Sequence, residues 1–335
     1  MKAIAYDQAG LSIDDPKSLY DIELPLPQPG PHDLLVKIQA ISVNPVDSKL
    51  RLSVPTAVPR VLGWDAVGRV EAVGSEVSLF KVGDEVWYAG DITRAGSYAE
   101  YGLVDERIAG HRPSSIPAAH AAALPLTGIT AWELLFDRLK IEQGTGNGQS
   151  LLVIGAGGGV GSILVQVARQ LTELTIIGTA SRQETKEWVS ELGAHFVIDH
   201  REPLQPQLKA LGLNEVDHVI SLTHTDTYYE QILGLLKPEG NLALIDDPAS
   251  LDAMPLKRKS ISLHWEFMFT RSMFRTHAML KQHQLLNRVA ELIDTGVLKT
   301  TLGEHFGTIN AENLRRAHGL IESAKSKGKI VLEGF

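Results

Sequence analysis

The stretch Ser150-Leu-Leu-Val-Ile-Gly-Ala-Gly-Gly-Gly-Val-Gly161 constrains the fold of this chain more than any other. A short apolar run passes through glycines into Val160, Ile163, Leu164, Val167 and Leu171, which recur at helical spacing. A strand, a tight turn and a helix read this way, and the N-terminus of such a helix presents unpaired N–H groups to a phosphate. The spacing departs from G-x-G-x-x-G. A strict match ending at Gly161 needs glycine at position 156, where this chain has Ala156, and the first glycine stands at Gly155 instead. Alone, a glycine cluster is a weak signal. The strand ahead, the helix behind and a second strand closing at Thr179 make a unit of about 30 residues, the size of a dinucleotide-binding βαβ. In that unit Gly158 lets the backbone approach the pyrophosphate, Gly159 and Val160 open the helix, and Gly161 lets helix and strand pack closely.

The chain around this unit has two textures. Residues 1 to about 120 carry short strand candidates, Leu34 to Ile41, Ala66 to Val73 and Asp84 to Trp87, punctuated by glycine and proline. They predict a compact, mostly antiparallel β domain. From about Ala121 the pattern becomes helical, at Ala121 to Trp132 and Leu134 to Leu139. Beyond a polar break at residues 143–149, strands and helices alternate. The strands are Ser150 to Ile154, Leu174 to Thr179, Phe196 to Ile198, His218 to Ser221 and Asn241 to Ile245; the helices are Gly159 to Leu171, Glu184 to Leu192 and Thr227 to Leu236. Such alternation predicts an α/β, doubly wound parallel sheet covered on both faces. Pro238-Glu239-Gly240 is expected to turn ahead of the last of these strands. Two helices, Leu280 to Thr295 and Ala311 to Ser323, and a strand, Lys329 to Leu332, close the chain.

Composition narrows the function classes. At 335 residues, 44% hydrophobic and 21% charged, the chain can bury a large core and is expected to divide into two domains. A net charge of -8 without a basic run argues against nucleic acid or an anionic membrane as partner. No apolar stretch approaches the roughly 18–20 residues that span a bilayer, and no long apolar leader follows Met1, so a cytoplasmic protein is expected. Without cysteine there is no disulfide, no thiolate nucleophile and no cysteine-containing zinc site.

Cofactor preference is read about 20 residues past the glycines, where NAD-selective sites place a carboxylate on the ribose 2′-hydroxyl. Here the sequence is Gly178-Thr-Ala-Ser-Arg182. A carboxylate would repel a 2′-phosphate, whereas Ser181 can donate a hydrogen bond and Arg182 a charge-assisted one. NADPH is therefore the expected cofactor, with Lys186 and His200 as further contacts to its phosphate. Glu184 weighs against this, and a solvated role for Arg182 and Lys186 stays open.

Six segments in order bear a family resemblance beside the glycine turn: Asn44-Pro-Val-Asp47, Gly63-Trp-Asp-Ala-Val-Gly-Arg-Val70, Val82-Gly-Asp-Glu-Val86, Gly96-Ser-Tyr-Ala-Glu-Tyr101, Leu124-Pro-Leu-Thr-Gly-Ile-Thr-Ala-Trp132 and Gly328-Lys-Ile-Val-Leu332. With them the chain resembles the medium-chain dehydrogenase/reductase superfamily over essentially its whole length, and within it the quinone oxidoreductase-like branch. Trp265-Glu-Phe-Met-Phe-Thr-Arg-Ser-Met-Phe274 is similar to a bacterial subgroup labelled zinc-type alcohol dehydrogenase-like. The resemblance implies a GroES-like β-barrel catalytic domain from residues 1–122 and 267–335, an inserted Rossmann NADPH-binding domain at 123–266, and a homodimer.

The same resemblance tests the zinc label. Zinc-dependent relatives ligate the catalytic metal with a cysteine where this chain has Asn44 and with the histidine of Gly-His-Glu where it has Gly63-Trp64-Asp65. Their structural zinc uses four cysteines, which this chain lacks. No metal is expected, although Asp47, Asp65 and Glu100 are carboxylates that could hold a weak ion. Without a metal to polarise a carbonyl, hydride from NADPH goes most readily to an acceptor activated by conjugation, a quinone or an α,β-unsaturated carbonyl. The resemblance places Asn44 beside the nicotinamide and substrate as an oxyanion donor, Thr127 at the nicotinamide ribose or ring, and Trp64 as an apolar wall. Asp47 either orients Asn44 or closes its turn. Tyr88 and Tyr98 are proton donors or core, and Met268 and Phe269 are pocket candidates. Two other readings share these residues: an NADPH-binding sensor or structural protein with little turnover, and a zinc-type alcohol dehydrogenase.

Overall fold

A computed structural model describes residues 1–335, which divide into two compact units, residues 1–129 with 269–335 and residues 130–268. The first begins with β1 (Lys2–Tyr6), β2 (Tyr20–Glu23) and β3 (Asp33–Val43), then α1 (Pro45–Ser53), β4 (Arg60–Val61), β5 (Ala66–Val73), β6 (Glu85–Tyr88), β7 (Tyr101–Asp105), β8 (Ala109–His111), α2 (Ala118–Ala122) and α3 (Pro125–Trp132). Strand β3 is its axis. It pairs antiparallel with both β5 and β7, and two register shifts against β5, between Leu35 and Val36 and between Ile38 and Ala40, let so long a strand bend. Close crossing of the two strands explains Gly68, where a Cβ would lie 2.2 Å from the Lys37 carbonyl oxygen.

The second unit runs through β9 (Ser150–Ile154), α4 (Gly159–Leu171), β10 (Thr175–Thr179), α5 (Gln183–Glu191), β11 (Phe196–Ile198), α6 (Leu204–Ala210), β12 (Val216–Ser221), α7 (Thr225–Leu235), β13 (Leu236–Leu244) and β14 (Ser262–Trp265). All six strands are parallel, in the order β11-β10-β9-β12-β13-β14. The order reverses between β9 and β12, the switch point at which doubly wound sheets bind ligands beyond their carboxyl ends. Leu152, Ile177, Val219 and Leu242 on adjacent strands lie in one buried cluster.

The chain then returns to the first unit through α8 (Thr270–Met273), α9 (Leu280–Asp294), β15 (Leu302–His305), α10 (Ala311–Glu322) and β16 (Lys329–Glu333). Strand β16 pairs antiparallel with β3, placing Ile330 opposite Val43, and so completes a seven-stranded sheet.

Several elements differ from the sequence pattern. The helix expected from Ala121 to Trp132 is two helices, because Pro125 lacks an N–H and restricts Leu124, so that a helix restarts there. Residues 133–138 continue α3 as a π-helical turn. Pro238-Glu239-Gly240 does not precede a strand but lies inside β13, where Glu239 adopts φ +63° and the register against β12 shifts. Helices α1 and α6 and the edge strand β14 lack a strong periodic signature. No helix is long and apolar enough to cross a membrane.

Candidate functional site

In the second unit, Gly155 has φ +84° and turns the chain off β9, its N–H donating to Thr179 Oγ1 at 3.1 Å. Gly158 is the N-cap of α4 and supplies no side-chain acceptor to the helix N–H groups. A Cβ there would meet only the Gly155 carbonyl oxygen, at 3.5 Å, so the turn has room on that side. Gly159 and Val160 form the partly exposed first turn. Gly161 is different: its Cβ would fall 2.5 Å from the carbonyl oxygens of both Gly155 and Ala156, so glycine is required for the helix to sit this close.

Thr179 pairs with Ile198 across β10 and β11, so Ser181 and His200 each follow these paired ends by two residues. Arg182 is exposed and forms the N-cap of α5. Lys186 Nζ reaches Asp199 Oδ2 at 3.1 Å. Two residues that the sequence reading passed over complete the group. Arg201 donates to Asp199 Oδ1 at 3.0 Å, to Asp199 Oδ2 at 2.7 Å and to the Ser181 carbonyl at 3.0 Å. These hydrogen bonds from Arg201, with Lys186, hold the Asp199 carboxyl well below the usual carboxylate range. Burial lowers the His200 pKa, and its ring stands edge-on to Tyr228. A second charged segment, Asp199-His200-Arg201, at the end of the third strand was the available signal.

In the first unit the expected site residues surround a buried polar knot. Asn44 is 1% exposed, follows β3 and is the N-cap of α1. Its Nδ2 donates to Asp65 Oδ2 at 2.8 Å and, at a long 3.4 Å, to the Trp64 carbonyl, while its Oδ1 accepts from Lys329 Nζ. Every polar atom of this amide is engaged, because a carboxylate and an ammonium flank it. Asp65, fully buried, also accepts from Ser42 Oγ at 2.6 Å and, through Oδ1, from the Leu126 N–H at 2.7 Å in the first turn of α3. Thr127, next in α3, is buried, and its hydroxyl donates to the Leu124 carbonyl at 3.3 Å. Trp64 is buried with its ring edge-on to Phe269, centroids 6.2 Å apart, and its Nε1 makes no hydrogen bond.

Asp47 closes the turn into α1, accepting from the Asn44 N–H at 2.7 Å and from the Tyr98 hydroxyl at 2.7 Å. Burial pushes its carboxyl up to about 7, against those hydrogen bonds and the nearby Lys329. Tyr98 also meets His318, whose other ring nitrogen meets Ser48 Oγ, and burial lowers His318 to about 3. Tyr88 and Tyr98 are both buried, and burial raises both phenols.

These donors do not fit zinc. Asp47, Asp65 and Glu100 form no common site, no group of three histidine, aspartate or glutamate side chains is placed to hold a metal, and Lys329 Nζ contacts both Asn44 and Asp65. Residues toward a dinucleotide do fit, with an uncapped helix N-terminus behind a turn that has room on one side.

Residues 30–114 match the alcohol dehydrogenase GroES-like domain family and residues 192–332 the zinc-binding dehydrogenase family. A zinc-type alcohol dehydrogenase-like protein of Staphylococcus aureus is 45% identical over 311 residues, covering 91% of this chain and 92% of its own. The quinone oxidoreductase of Lama guanicoe is 30% identical over 93% of this chain and 91% of its own. Among solved structures, a protein from Rhizobium etli, provisionally named a zinc-dependent alcohol dehydrogenase, superposes with TM-score 0.96 at 53% identity, covering 100% of this chain and 98% of that one. Escherichia coli quinone oxidoreductase, solved in complex with NADPH, gives TM-score 0.84 at 26% identity over 99% and 100%. A GroES-like barrel unit joined to a Rossmann sheet defines an oxidoreductase of the alcohol dehydrogenase-like class. The chain belongs to the medium-chain dehydrogenase/reductase superfamily, with zinc-type alcohol dehydrogenase-like proteins and quinone oxidoreductases as its relatives.

Proposed function

We propose that this chain is a zinc-independent, NADPH-dependent oxidoreductase that passes hydride to a quinone or an α,β-unsaturated carbonyl. The observation that carries the cofactor choice is the cationic group at the ends of β10 and β11, where Arg182, Lys186 and Arg201 gather beside Ser181 and His200. In this reading residues 123–266 bind the cofactor, and residues 1–122 with 267–335 form the catalytic domain. Gly158, Gly159, Val160 and Gly161 take the pyrophosphate at the α4 N-terminus, and Ser181, Arg182, Lys186 and His200 take the 2′-phosphate.

NADPH, when bound, supplies a hydride from its nicotinamide. Asn44, Thr127 and Trp64 serve the transfer. Asn44 offers the N–H whose bond to the Trp64 carbonyl is long, so that hydrogen is the one most easily released to a developing oxyanion. Thr127 contacts the nicotinamide side, and the indole of Trp64 excludes water. The lysine contact that fills the space between Asn44 and Asp65 favours an acceptor already activated by conjugation over one that needs a metal. The protein acts on small molecules in the cytoplasm as a homodimer, and β14, an open edge of the parallel sheet, is a suitable surface for pairing.

The test is NADPH oxidation with 1,2-naphthoquinone, 9,10-phenanthrenequinone and short enals, together with metal analysis of the purified protein. Turnover by metal-free protein is expected. Tight NADPH binding without oxidation by any acceptor would replace this reading with a sensor or structural role, and activity that follows bound zinc would replace it with an alcohol dehydrogenase. Arg182→Ala is expected to weaken NADPH far more than NADH; equal loss would refute the 2′-phosphate assignment.

A further inference from the structure

The Asn44 amide lies against two groups of opposite charge that leave it one orientation. Lys329 Nζ has only donors and Asp65 Oδ2 only acceptors, so Oδ1 must face the lysine and Nδ2 the aspartate. A flipped amide would set N–H against ammonium and oxygen against carboxylate. The lysine is as fixed as the amide, because its three hydrogens go to Asn44 Oδ1, to Asp65 Oδ2 at 3.1 Å and to the Val43 carbonyl at 3.0 Å. Asp65 in turn holds the Leu126 N–H, one residue before Thr127. Side-chain exposure is 3% for Lys329 and 0% for Asp65. Desolvating two charges this completely is seldom a net gain in stability over an apolar pair, so the arrangement calls for another benefit.

We propose that Lys329 and Asp65 are positioning residues: their buried ion pair locks the Asn44 amide in one orientation and ties it to the N-terminus of the helix that carries Thr127. The inference rests on the reading above, in which Asn44 and Thr127 serve the hydride transfer. Neither positioning residue needs to touch the substrate. Four segments of the chain, at Asn44, Asp65, Leu126 and Lys329, meet in this contact, so any looseness in the pair is passed directly to the amide.

The first measurement uses the wild-type apoprotein. The side-chain NH₂ signal of Asn44, identified in a ¹H–¹⁵N spectrum by its loss in Asn44→Ser, is expected to exchange with solvent as slowly as core backbone amides. Fast exchange would overturn the proposal. The second compares Lys329→Met/Asp65→Asn, which removes both charges and keeps a carbonyl oxygen for the Leu126 N–H. It is expected to fold, to bind NADPH as the wild type does, to exchange the Asn44 amide faster, and to lose kcat on the order of 100-fold with little change in KM, as a misplaced group does. Wild-type exchange and wild-type kcat in that variant would sink the proposal. If the variant does not fold, the wild-type exchange rate decides. Should the wild type oxidise NADPH with no acceptor, the functional reading fails while the exchange arm still reports on positioning.

Discussion

Asp199 in the Rossmann unit and Asp65 in the barrel unit are both carboxylates bridged to a cation, but they differ in their access to water. At Asp199 the partners are open, with side-chain exposures of 33% for Lys186 and 65% for Arg201. At Asp65 the lysine is 3% exposed. Exposed pairs are screened, contribute little to stability and can exchange one anion for another. Sealed pairs cannot do so without leaving a bare charge in the protein interior. The open cluster is therefore suited to receive a phosphate, and the closed one to hold a geometry.

That contrast can be broken most forcefully at Lys329. Lys329→Met alone strands Asp65 as a buried charge and is expected to cost about 3–5 kcal/mol in denaturant unfolding. A loss near zero would mean that the barrel knot is as soft as the surface one. Next comes Gly161→Ala, whose Cβ meets two backbone oxygens at 2.5 Å. Overpacking of this kind costs roughly 1–3 kcal/mol, and nucleotide affinity should fall with it.

Asp47 sharpens the comparison through pH. Its carboxyl titrates near 7 in the folded protein and near 4 when unfolded, so the fold holds the proton more tightly. The stability this gives is full below about pH 4 and is lost as the pH rises through about 7. Asp47→Asn removes that dependence, so its Tm relative to wild type should climb steadily from pH 4 to 8; a constant difference would show that the carboxyl is not desolvated as described. Burial of neutral His318 acts in the opposite sense, costing stability as the pH falls from about 6.5 toward 3, and it cancels in this comparison to the extent that the variant leaves it unchanged. The smallest effect on stability is expected at Lys186. Lys186→Ala should leave unfolding within about 0.5 kcal/mol of wild type while weakening NADPH, measured by titration of both.

These differences also explain what could be read from sequence. Gly155 to Gly161 form one local segment, so the strand, turn and helix were legible from spacing alone. The alternation that followed gave the parallel sheet and most of its strands. Lys329, however, lies 264 residues from Asp65 and 285 from Asn44. Nothing in the local sequence of Gly328-Lys-Ile-Val-Leu332 says that its lysine is buried, because the strand partners that bury it come from β3. The flanking of the Asn44 amide by Asp65 and Lys329 is hidden from local sequence for the same reason. Asp199 and Arg201 are not legible from spacing because only the pairing of β10 with β11 brings the end of the third strand beside Ser181. Strand β14 was hidden because Ser262-Leu-His-Trp265 is a short edge strand whose residues are exposed or only half-buried.

The central claim is that the open cluster recognises a 2′-phosphate. Its most direct test is a titration of the purified protein with NADPH and with NADH, followed by protein fluorescence at fixed ionic strength. NADPH is expected to bind at least about tenfold more tightly, a difference of about 1.4 kcal/mol. Equal affinities, or tighter binding of NADH, would contradict the account.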